Sequence, residues 1–406
     1  MDKIDELLTR GVANIIPSKN ELVSLLKSGK KLNVYLGIDP TATQIHLGHA
    51  VSLRKLQIFA ELGHNVTFLI GDFTALIGDT SDKDSERPVL SKEQIEQNFQ
   101  TYKKQAEKLL DFSKVKIQHN SEWLSKLSFE EIVKICQHFS FGDLASRELI
   151  KKRLNDGKHV GLHEALYPVM QGYDSYFMDT DIQVGGTDQT FNMQAGRSLQ
   201  KDLRHKESFV LATEFLMGTD GRKMSKTWNN AIWLTDDPNN MYGKVMSIAD
   251  NVMIQYFTLA TNLPQDDIKT IESQLKSGEN PINYKKRLAF DIVKQLHNEG
   301  AAKEAQDYFE KTVQKKELPE VLPIYQYIGH DAINIVDLLT KTELLTSKSQ
   351  ARRLVEQGGV EVDNNPITNY QLPITPKDGM IIQAGKRKFL KLSVSRQRRA
   401  SPKAGS

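Results

Sequence analysis

A buried strand, a helix and a second strand follow one another near the start of the chain. Asn33–Asp39 is short and apolar and ends at an Asp-Pro pair, which predicts a buried strand. From His46 to Leu62 apolar residues recur every three or four positions and Gly63 follows, which predicts a helix. Asn65–Ile70 is predicted as the second strand. A strand–helix–strand unit places its strands in parallel, so the segment predicts an α/β fold with a doubly wound, Rossmann-like parallel sheet.

Beyond this unit the pattern predicts further helices and strands. Residues 92–165 are predicted as a mostly helical insertion with one short strand near Val115–Gln118. Asp181–Val184 is predicted as another strand of the sheet. Residues 237–315 are predicted to be helical throughout, with Asn280–Pro281 as the N-cap and first residue of one helix.

The two ends of the chain have different textures. Residues 2–29 are predicted as short amphipathic helices, and 316–334, which contains Pro319 and Pro323, is predicted as a linker. After it, Ser347–Gln357 is predicted as a helix that opens with a Ser-x-x-Gln capping box. Short strands are predicted at Val360–Val362, Met380–Gln383 and Lys388–Leu392.

Positive charge is concentrated at the C-terminal end. Residues 347–406 hold 12 Lys+Arg and 4 Asp+Glu, a net of +8, which leaves −5 for the remainder because the 406-residue chain carries +3. Such an asymmetry predicts an appended nucleic-acid-binding module. The single cysteine, Cys136, excludes an intramolecular disulfide framework and a cysteine zinc cluster. With no apolar run near the ~20 residues of a membrane span and no secretory signal pattern, a cytoplasmic location is expected.

The first strand-to-helix turn carries the most informative residues. It has neither a GxGxxG pattern nor a Walker lysine, which disfavours dinucleotide and P-loop sites. Instead, His46-Leu-Gly-His49 stands on the first helical turn, where residues three apart share a face. Free backbone amides and the positive end of the helix dipole make this turn an anion site. Gly48 removes a side chain where a base or a ribose would approach.

A second cluster of positive charge follows a glycine-rich turn. Lys223 and Lys226 stand three residues apart in Gly221-Arg-Lys-Met-Ser-Lys-Thr227. Lysines on a glycine-hinged loop can bring ammonium groups onto phosphates. Two lysines at this spacing are by themselves more typical of a solvated basic loop, and it is their combination with the histidine turn that favours a phosphate site.

With both segments in view, the chain resembles the class I aminoacyl-tRNA synthetases. His46–His49 is similar to their HIGH signature, and Lys223–Thr227 to their KMSKS signature. The run Tyr35–His49 is similar to the corresponding turn of tyrosyl-tRNA synthetases. Three further segments also resemble that family: GDFTALIGD (71–79), EALYPVMQGYDS (164–175) and GGTDQTFNMQAGR (185–197). Residues 335–392 resemble the S4 RNA-binding module of bacterial tyrosyl enzymes.

The resemblance implies an ATP-dependent activation of tyrosine, with Mg²⁺ accompanying ATP as co-substrate and with no tightly bound cofactor and no protein-held metal. By resemblance, Thr41, His46 and His49 contact the phosphates, and Lys223 and Lys226 clamp the pyrophosphate as the loop closes. The further ATP-binding positions are Lys83, Arg87, Gly37, Asp39, Gly48, Gly186 and Asp188, with Asp188 as the ribose ligand.

The resemblance also implies a tyrosine pocket. Tyr35 and Asp174 match the pair that binds the phenol, and a carboxylate acceptor there would penalise phenylalanine. The ammonium and carboxylate side of the substrate matches Asp79, Tyr167, Gln171 and Gln189. The spacing of Tyr167, Gln171 and Asp174 (i, i+4, i+7) places them on one face of a helix.

Several residues depart from the family pattern. Leu47 stands where the HIGH signature has an isoleucine, a side chain of similar volume. Thr227 stands where the KMSKS signature has its final serine, and it keeps the hydroxyl group. Asp82 and Asp84 add negative charge beside Lys83, which weakens the expected contact of Lys83 and Arg87 with pyrophosphate.

The resemblance implies a three-domain plan and a tRNA partner. Residues 1–235 would form the catalytic domain, 236–325 a helical domain that holds the anticodon arm, and 335–395 the S4-like α+β module. The tail 396–406 is predicted to be disordered. The helical insertion is expected to form a homodimer interface. The RNA-binding positions are Lys348, Arg352, Arg353, Lys386, Arg387 and Lys388, a stripe suited to phosphates and folded RNA.

Three alternatives remain at this point. A tryptophanyl-tRNA synthetase is disfavoured by Tyr35 and Asp174, which suit a phenol and not an indole. Small nucleotidylyltransferases share the His-x-Gly-His turn but lack the lysine loop with the helical and RNA-binding domains. A catalytically inactive, RNA-binding relative is disfavoured because both histidines and both lysines are present.

Overall fold

The structure is a computed structural model that describes residues 2–79, 90–314, 322–329, 331–371, 373–385 and 388–395. Contacts divide the chain into two compact units. The first unit comprises Met1–Asp237 and Lys244–Glu299, and the second comprises Pro238–Gly243 and Gly300–Ser406. Lys83, Arg87, Lys386, Arg387 and the tail 396–406 lie outside the described residues.

The first unit is built on a six-stranded sheet in the order β1-β6-β5-β2-β3-β4. Its strands are β1 Val12–Ile16, β2 Asn33–Ile38, β3 Asn65–Ile70, β4 Val115–His119, β5 Ile182–Gly186 and β6 Phe209–Thr213. Strands β2 to β6 pair in parallel, and β1 pairs antiparallel with β6 at the edge. The predicted doubly wound α/β fold is therefore confirmed, with one antiparallel edge strand added.

The first βαβ unit forms as its apolar pattern predicts. Helix Leu47–Glu61 joins β2 to β3, and these strands pair in parallel from Asn33↔Asn65 to Ile38↔Ile70. The helix buries Ala50, Leu53 and Leu56, which recur at helical spacing. Gly63 takes a φ of +86° just past the helix end, where a side chain would be strained.

Two strands of this sheet differ from the sequence prediction. The pattern of residues 2–29 predicts helices, but Val12–Ile16 forms β1 between two short helices. Its partner β6 is not predicted by the pattern, although all five of its residues are buried. The prediction of helices alone is wrong because β1 is stabilised by pairing with residues almost two hundred positions away, and such pairing leaves no local period.

Helices cover the sheet and form most of residues 190–314. They are α1 Lys3–Leu7, α2 Lys19–Lys27, α3 Leu47–Glu61, α4 Lys92–Ala106, α5 Ser121–Leu124, α6 Phe129–Cys136, α7 Phe141–Ala145, α8 Glu148–Asn155, α9 Leu162–Phe177, α10 Thr190–Arg204, α11 Pro238–Met246, α12 Met253–Ala260, α13 Gln265–Lys276, α14 Pro281–Leu296 and α15 Glu299–Phe309. The Asn280 side chain accepts a hydrogen bond from the Ile282 amide at 3.1 Å, which confirms the predicted N-cap.

In the described part of residues 322–395, the second unit contains a five-stranded sheet, in the order β10-β9-β12-β13-β7, a two-stranded sheet of β11 and β8, and two helices. Its elements are β7 Ile324–Ile328, β8 Ile333–Asn334, α16 Ile335–Lys341, α17 Lys348–Glu356, β9 Val360–Val362, β10 Asn365–Pro366, β11 Pro373–Ile374, β12 Ile381–Ala384 and β13 Lys388–Ser395. The Ser347 hydroxyl caps α17 by accepting from the Gln350 amide at 3.2 Å. Leu338, Val355 and Ile382 belong to the core beneath the sheet.

The predicted linker 316–334 is wrong in part, because β7 lies within it. β7 pairs in parallel with β13 from Ile324↔Lys391 to Ile328↔Ser395. Pro323 precedes the strand and its carbonyl accepts from the Lys391 amide at 2.8 Å, so this proline begins the strand and does not interrupt it.

The described helices include none that is both long and apolar enough to cross a membrane. The predicted domain limits 1–235, 236–325 and 335–395 stay predictions.

Candidate active site

The topology of the first unit places a site between β2 and β5. These strands are parallel neighbours, and the chain leaves them in opposite directions, toward β3 on one side and β6 on the other. A parallel sheet opens a crevice at the carboxyl ends of such a strand pair. A cavity of about 360 Å³ lies there, lined by the residues that end and follow both strands.

Most of the predicted catalytic, ATP and tyrosine positions meet in this cavity. The predicted residues that line it are Tyr35, Gly37, Asp39, Thr41, His46, Gly48, His49, Asp79, Tyr167, Gln171, Asp174, Gly186, Asp188, Gln189 and Lys223. Lys226 is exposed and lies outside this lining. The structure therefore brings together segments from five regions of the sequence.

The two histidines stand at the start of α3. Their rings stack with centroids 3.9 Å apart, and the His46 amide donates to Nδ1 of His49 at 3.4 Å. Burial lowers the pKa of His46 well below its usual range, and His49 and Lys223 lower it further. His46 is thus a neutral imidazole at pH 7. Its Nδ1 is buried against the first turn of α3 with no hydrogen-bond partner among the described residues.

Gly48 is required by the position of His46. A Cβ at Gly48 would lie 2.9 Å from His46 Nδ1, a distance at which the ring would have to move. The glycine therefore lets the histidine ring lie across the first turn of α3. From the sequence, Gly48 leaves space for a base or a ribose, and room for the His46 ring is a second reason for a glycine here.

The histidine turn and the lysine loop are joined through their backbones. The Leu47 amide donates to the Ile232 carbonyl, and the Leu234 amide to the Ile45 carbonyl, both at 2.9 Å. This bridge fixes the C-terminal end of the lysine loop beside the start of α3. The two motifs, far apart in sequence, thus form one structure.

The two lysines of the loop lie in different environments. Lys223 Nζ donates to Asp188 Oδ2 at 3.2 Å and lies 3.8 Å from the centroid of the Phe215 ring. The buried Asn230 side chain ties the loop at its base, since it contacts Asp220 and the Lys223 carbonyl. Lys226 extends from the exposed part of the loop. Lys223 is therefore already in the cavity, whereas Lys226 must move to reach it.

Asp174 is buried in the wall of the cavity and is only 2% exposed. Trp123 Nε1 donates to Oδ1 at 2.7 Å and Asn120 Nδ2 to Oδ2 at 3.1 Å. Burial raises the pKa of Asp174 to about 8, with these two donors acting in the opposite direction. A carboxyl group held in this way offers an acceptor oxygen to a single hydroxyl donor.

The two tyrosines of the pocket have hydrogen-bond partners in the structure. Tyr35 Oη donates to Gln183 Oε1 at 3.1 Å, and burial raises the pKa of Tyr35 well above its usual range. Tyr167 Oη donates to Asp39 Oδ2 at 2.9 Å. The resemblance assigns Asp39 to the adenosine side, so this bond connects the two predicted halves of the site.

Asp79 is surrounded by donors. Gln189 Nε2 donates to its Oδ2 at 2.7 Å and Asn192 Nδ2 at 3.3 Å. The guanidinium of Arg147, from the helical insertion, lies 4.0 Å from Oδ1. Gln189 and Asp79 thus form one group, as expected for the ammonium end of a substrate.

The sequence interpretation missed several residues of the pocket. These are Gly71, Thr74, Asn120, Trp123, Gln183 and Phe215. Asn120 follows β4 directly, and a polar residue just after a predicted strand was a usable signal. Trp123 and Gln183 gave no such signal, because a tryptophan and a glutamine within a strand are also found in protein cores that bind nothing.

Those predicted RNA-binding positions that the structure describes lie on the second unit. Arg352 and Arg353 are exposed on α17, and the Arg352 guanidinium lies 5.1 Å from the Tyr370 ring centroid. Lys348 forms an ion pair with Asp337, with 2.7 Å between Nζ and Oδ1. The Lys388 ammonium donates to the Leu344 carbonyl at 2.8 Å, so part of its charge serves the fold.

A doubly wound sheet with a His-Leu-Gly-His helix start and a lysine loop at its switch point defines the class I aminoacyl-tRNA synthetases. The family model described as tRNA synthetases class I (W and Y) matches residues 27–314. A second model, the tyrosine–tRNA ligase SYY-like C-terminal domain, matches residues 314–392. The chain belongs to the class I tRNA synthetases of the tryptophan and tyrosine group, as the motifs predicted.

Curated relatives match nearly the whole chain. A tyrosine–tRNA ligase of Dehalococcoides mccartyi is 42% identical over 392 residues, 96% of this chain and 98% of that one. The Thermotoga maritima tyrosine–tRNA ligase is 40% identical over 390 residues, 96% of each chain. Among solved structures, a truncated mitochondrial tyrosyl-tRNA synthetase of Coccidioides posadasii has a TM-score of 0.62 at 23% identity, covering 76% of this chain and 91% of that one. This likeness supports the fold.

Proposed function

We infer that the chain is an ATP-dependent tyrosine–tRNA ligase. The single observation that carries this is Asp174, a buried carboxyl group held by Asn120 and Trp123 in the wall of a cavity that His46 and Lys223 also line. The family and the relatives' names confirm the predicted function and do not favour the tryptophanyl alternative.

Activation requires positioning more than proton transfer. The tyrosine carboxylate is already ionised and attacks the α-phosphorus of ATP in line. A bond forms between a carboxylate oxygen and this phosphorus, while the bond from the phosphorus to the bridging oxygen breaks and pyrophosphate leaves with the electron pair. Thr41, His46 and His49 act as donors to the phosphates at the start of α3. Lys223 and Lys226 neutralise the charge that develops on the leaving pyrophosphate.

The remaining ATP contacts are assigned from the family resemblance. Asp188 accepts from the ribose hydroxyls in this proposal, and Gly186 beside it has no side chain, where a Cβ would lie 2.5 Å from Asp188 Oδ1. Gly37, Asp39 and Gly48 complete the adenosine side. Mg²⁺ belongs to the MgATP substrate; the described residues contain no cluster of three metal-ligating side chains. Lys83 and Arg87 stay predictions.

Tyrosine lies between Asp174 and the Asp79 group in this proposal. Asp174 accepts from the phenol with Tyr35 beside it, while Asp79, Tyr167, Gln171 and Gln189 hold the ammonium and carboxylate. After activation, the tRNA 3′ end attacks the tyrosyl carbonyl and AMP leaves. Lys348, Arg352, Arg353 and Lys388, with Lys386 and Arg387, contact tRNA phosphates.

The test of the function is ATP–pyrophosphate exchange with each of the twenty amino acids separately. We expect tyrosine alone to support rapid exchange, and without tRNA, because every group assigned to this step lies within residues 35–227. Exchange with tryptophan instead would establish the other branch of the family. No exchange with any amino acid would establish an inactive relative.

Removal of the residues after Gln314 tests the role of the C-terminal module. The cut must precede β7, since β7 pairs with β13. We expect exchange to change little and KM for tRNA to rise. In a plot of log affinity for tRNA against log salt concentration, the slope should become less steep by about 0.9 for each phosphate that the truncated chain no longer neutralises. Normal charging with an unchanged salt dependence would contradict an RNA-binding role.

A homodimer and a cytoplasmic location remain predictions. In support of the first, exposed apolar side chains occur along the helical insertion: Phe129 is 82%, Leu162 73% and Phe141 68% exposed. Patches of this kind are typical of protein interfaces. Sedimentation of the purified chain would test the dimer.

A further inference from the structure

Phe215 belongs to a short segment, residues 215–217, that we call the strap and that precedes the lysine loop. The Gln255 side chain holds the strap on both sides of Leu216, since it donates to the Phe215 carbonyl at 3.0 Å and accepts from the Met217 amide at 3.3 Å. Tyr256 Oη also donates to the Met217 carbonyl at 2.6 Å. The backbone of Phe215 is therefore fixed to α12, and its ring lines the cavity.

Lys223 rests on that ring. Its Nζ lies 3.8 Å from the Phe215 ring centroid and 3.2 Å from Asp188 Oδ2. An ammonium over an aromatic face is attracted by the negative face of the ring, more strongly where water is partly excluded. The ring and the carboxylate thus hold one cation from two sides, which fixes it on the wall of the cavity.

The backbone of the loop that carries Lys223 is tied to residues 216–218, because the Met224 amide donates to the Leu216 carbonyl at 3.0 Å and the Gly218 amide to the Arg222 carbonyl at 2.6 Å. The Lys223 side chain itself contacts Phe215 and Asp188 in the cavity. Asn230 ties its base, Gly221 takes a φ of +79°, and residues 226–229 are exposed. Without the ring, the lysine would keep Asp188 as its partner, and Asp188 is the proposed ribose ligand. A ribose that takes this carboxylate would then leave the ammonium without the contact that holds it on the cavity wall.

We propose that Phe215 is a positioning residue for the nucleotide step, which places the Lys223 ammonium in the cavity before ATP arrives. The inference rests on the proposed function, because it assigns Lys223 to the phosphates. When the ribose takes Asp188, the ring still holds the ammonium at the cavity wall, so the cation stays available to the phosphates.

The experiment combines steady-state and single-turnover formation of tyrosyl-adenylate. Phe215→Leu is expected to lower kcat/KM for ATP about 5- to 20-fold, the effect of removing one partly desolvated cation–π interaction, while KM for tyrosine changes less than about twofold. Phe215→Tyr, which keeps the ring, is expected to restore the value. Phe215→Met, which keeps the bulk but not the ring, should match Phe215→Leu and serves if the leucine variant folds poorly.

A double-mutant cycle separates positioning from packing. In the Lys223→Met background, Phe215→Leu should add less than about a twofold effect, because the group it positions is gone. Tyr176→Leu is the matched control, because it also removes a ring that lies under a cation: the Arg204 guanidinium is 4.6 Å from the Tyr176 ring centroid. This pair lies outside the cavity, so the substitution should leave kcat/KM for ATP unchanged. An equal loss from Phe215→Leu in both backgrounds, or no loss at all, overturns the proposal.

Hydrogen exchange of the ligand-free chain gives a readout that does not need activity. Amides of residues 222–227 should exchange faster in Phe215→Leu and at the normal rate in Phe215→Tyr. If the wild-type chain shows no tyrosine-dependent exchange of pyrophosphate, the proposed function fails while this measurement still tests the interaction of the ring with the lysine. If the activity is present but the loop amides and the cycle show no dependence on the ring, the inference alone fails.

Discussion

Lys226→Ala is expected to slow the formation of tyrosyl-adenylate by about 10²–10³-fold, the usual loss for one donor to transition-state charge. The side chain is exposed on the loop, so its removal should leave the fold intact. Because Lys226 lies outside the cavity lining in the structure, it reaches the pyrophosphate only when the loop closes. The loss should therefore fall on kcat, with KM for ATP almost unchanged. Single-turnover rates over a range of ATP concentrations measure this.

The same loop provides a control for that result. Arg222 is an exposed cation four residues away, and its guanidinium is held by Asp220 and lies 4.7 Å from the Trp228 ring centroid. Arg222→Ala removes the same charge from the loop, yet we expect a change below about threefold. Equal losses in the two variants would mean that only the net charge of the loop matters, and the role assigned to Lys226 would be wrong.

Asp174→Ala is expected to narrow the preference for tyrosine over phenylalanine by about 10- to 100-fold, the effect of a buried polar partner worth about 1–3 kcal/mol. In the wild-type chain, phenylalanine leaves the buried carboxyl group of Asp174 without the phenol that would hydrogen-bond to it. In the variant neither substrate finds that acceptor, so tyrosine loses its advantage. The measurement is kcat/KM for both amino acids by pyrophosphate exchange.

A second substitution protects this prediction against a folding defect. Asp174→Ala leaves the Trp123 and Asn120 donors without their acceptor, and a lower thermal midpoint is expected. Asp174→Asn keeps one acceptor oxygen and nearly the same volume, so it should be more stable while still weakening discrimination. If both variants fold and both discriminate as well as the wild type, the phenol is recognised by another residue of the pocket, with Gln183 the next to test.

The pocket shows which part of a site can be predicted from sequence. Tyr167 and Asp174 could be placed on one helical face from spacing alone, and α9 does hold both in the cavity wall. Their partners could not: Asp174 is held by Trp123, 51 positions away, and Tyr167 by Asp39, 128 positions away. Hydrogen bonds between distant segments depend on strand order and register, and neither leaves a period in the sequence.

The lysine loop shows the same limit. The sequence treats Lys223 and Lys226 as an equivalent pair on a mobile loop. The structure separates them, because Lys223 is held by Phe215 and Asp188 and Lys226 is exposed. That difference arises from the Gln255 side chain that fixes Phe215, which comes from a helix forty residues further along the chain.

By itself, the sequence determined the local elements and the chemistry: the strand–helix–strand unit, the caps at Asn280 and Ser347, and the histidine and lysine motifs. These depend on neighbours within a few residues, through helical period, capping and turn geometry. Only the tertiary structure decided that Val12–Ile16 and Ile324–Ile328 are strands, and which side chains hold Asp174 and Lys223. Those outcomes depend on pairing and packing between residues far apart in the chain, where the stabilising partner is supplied by the fold and not by the adjacent sequence.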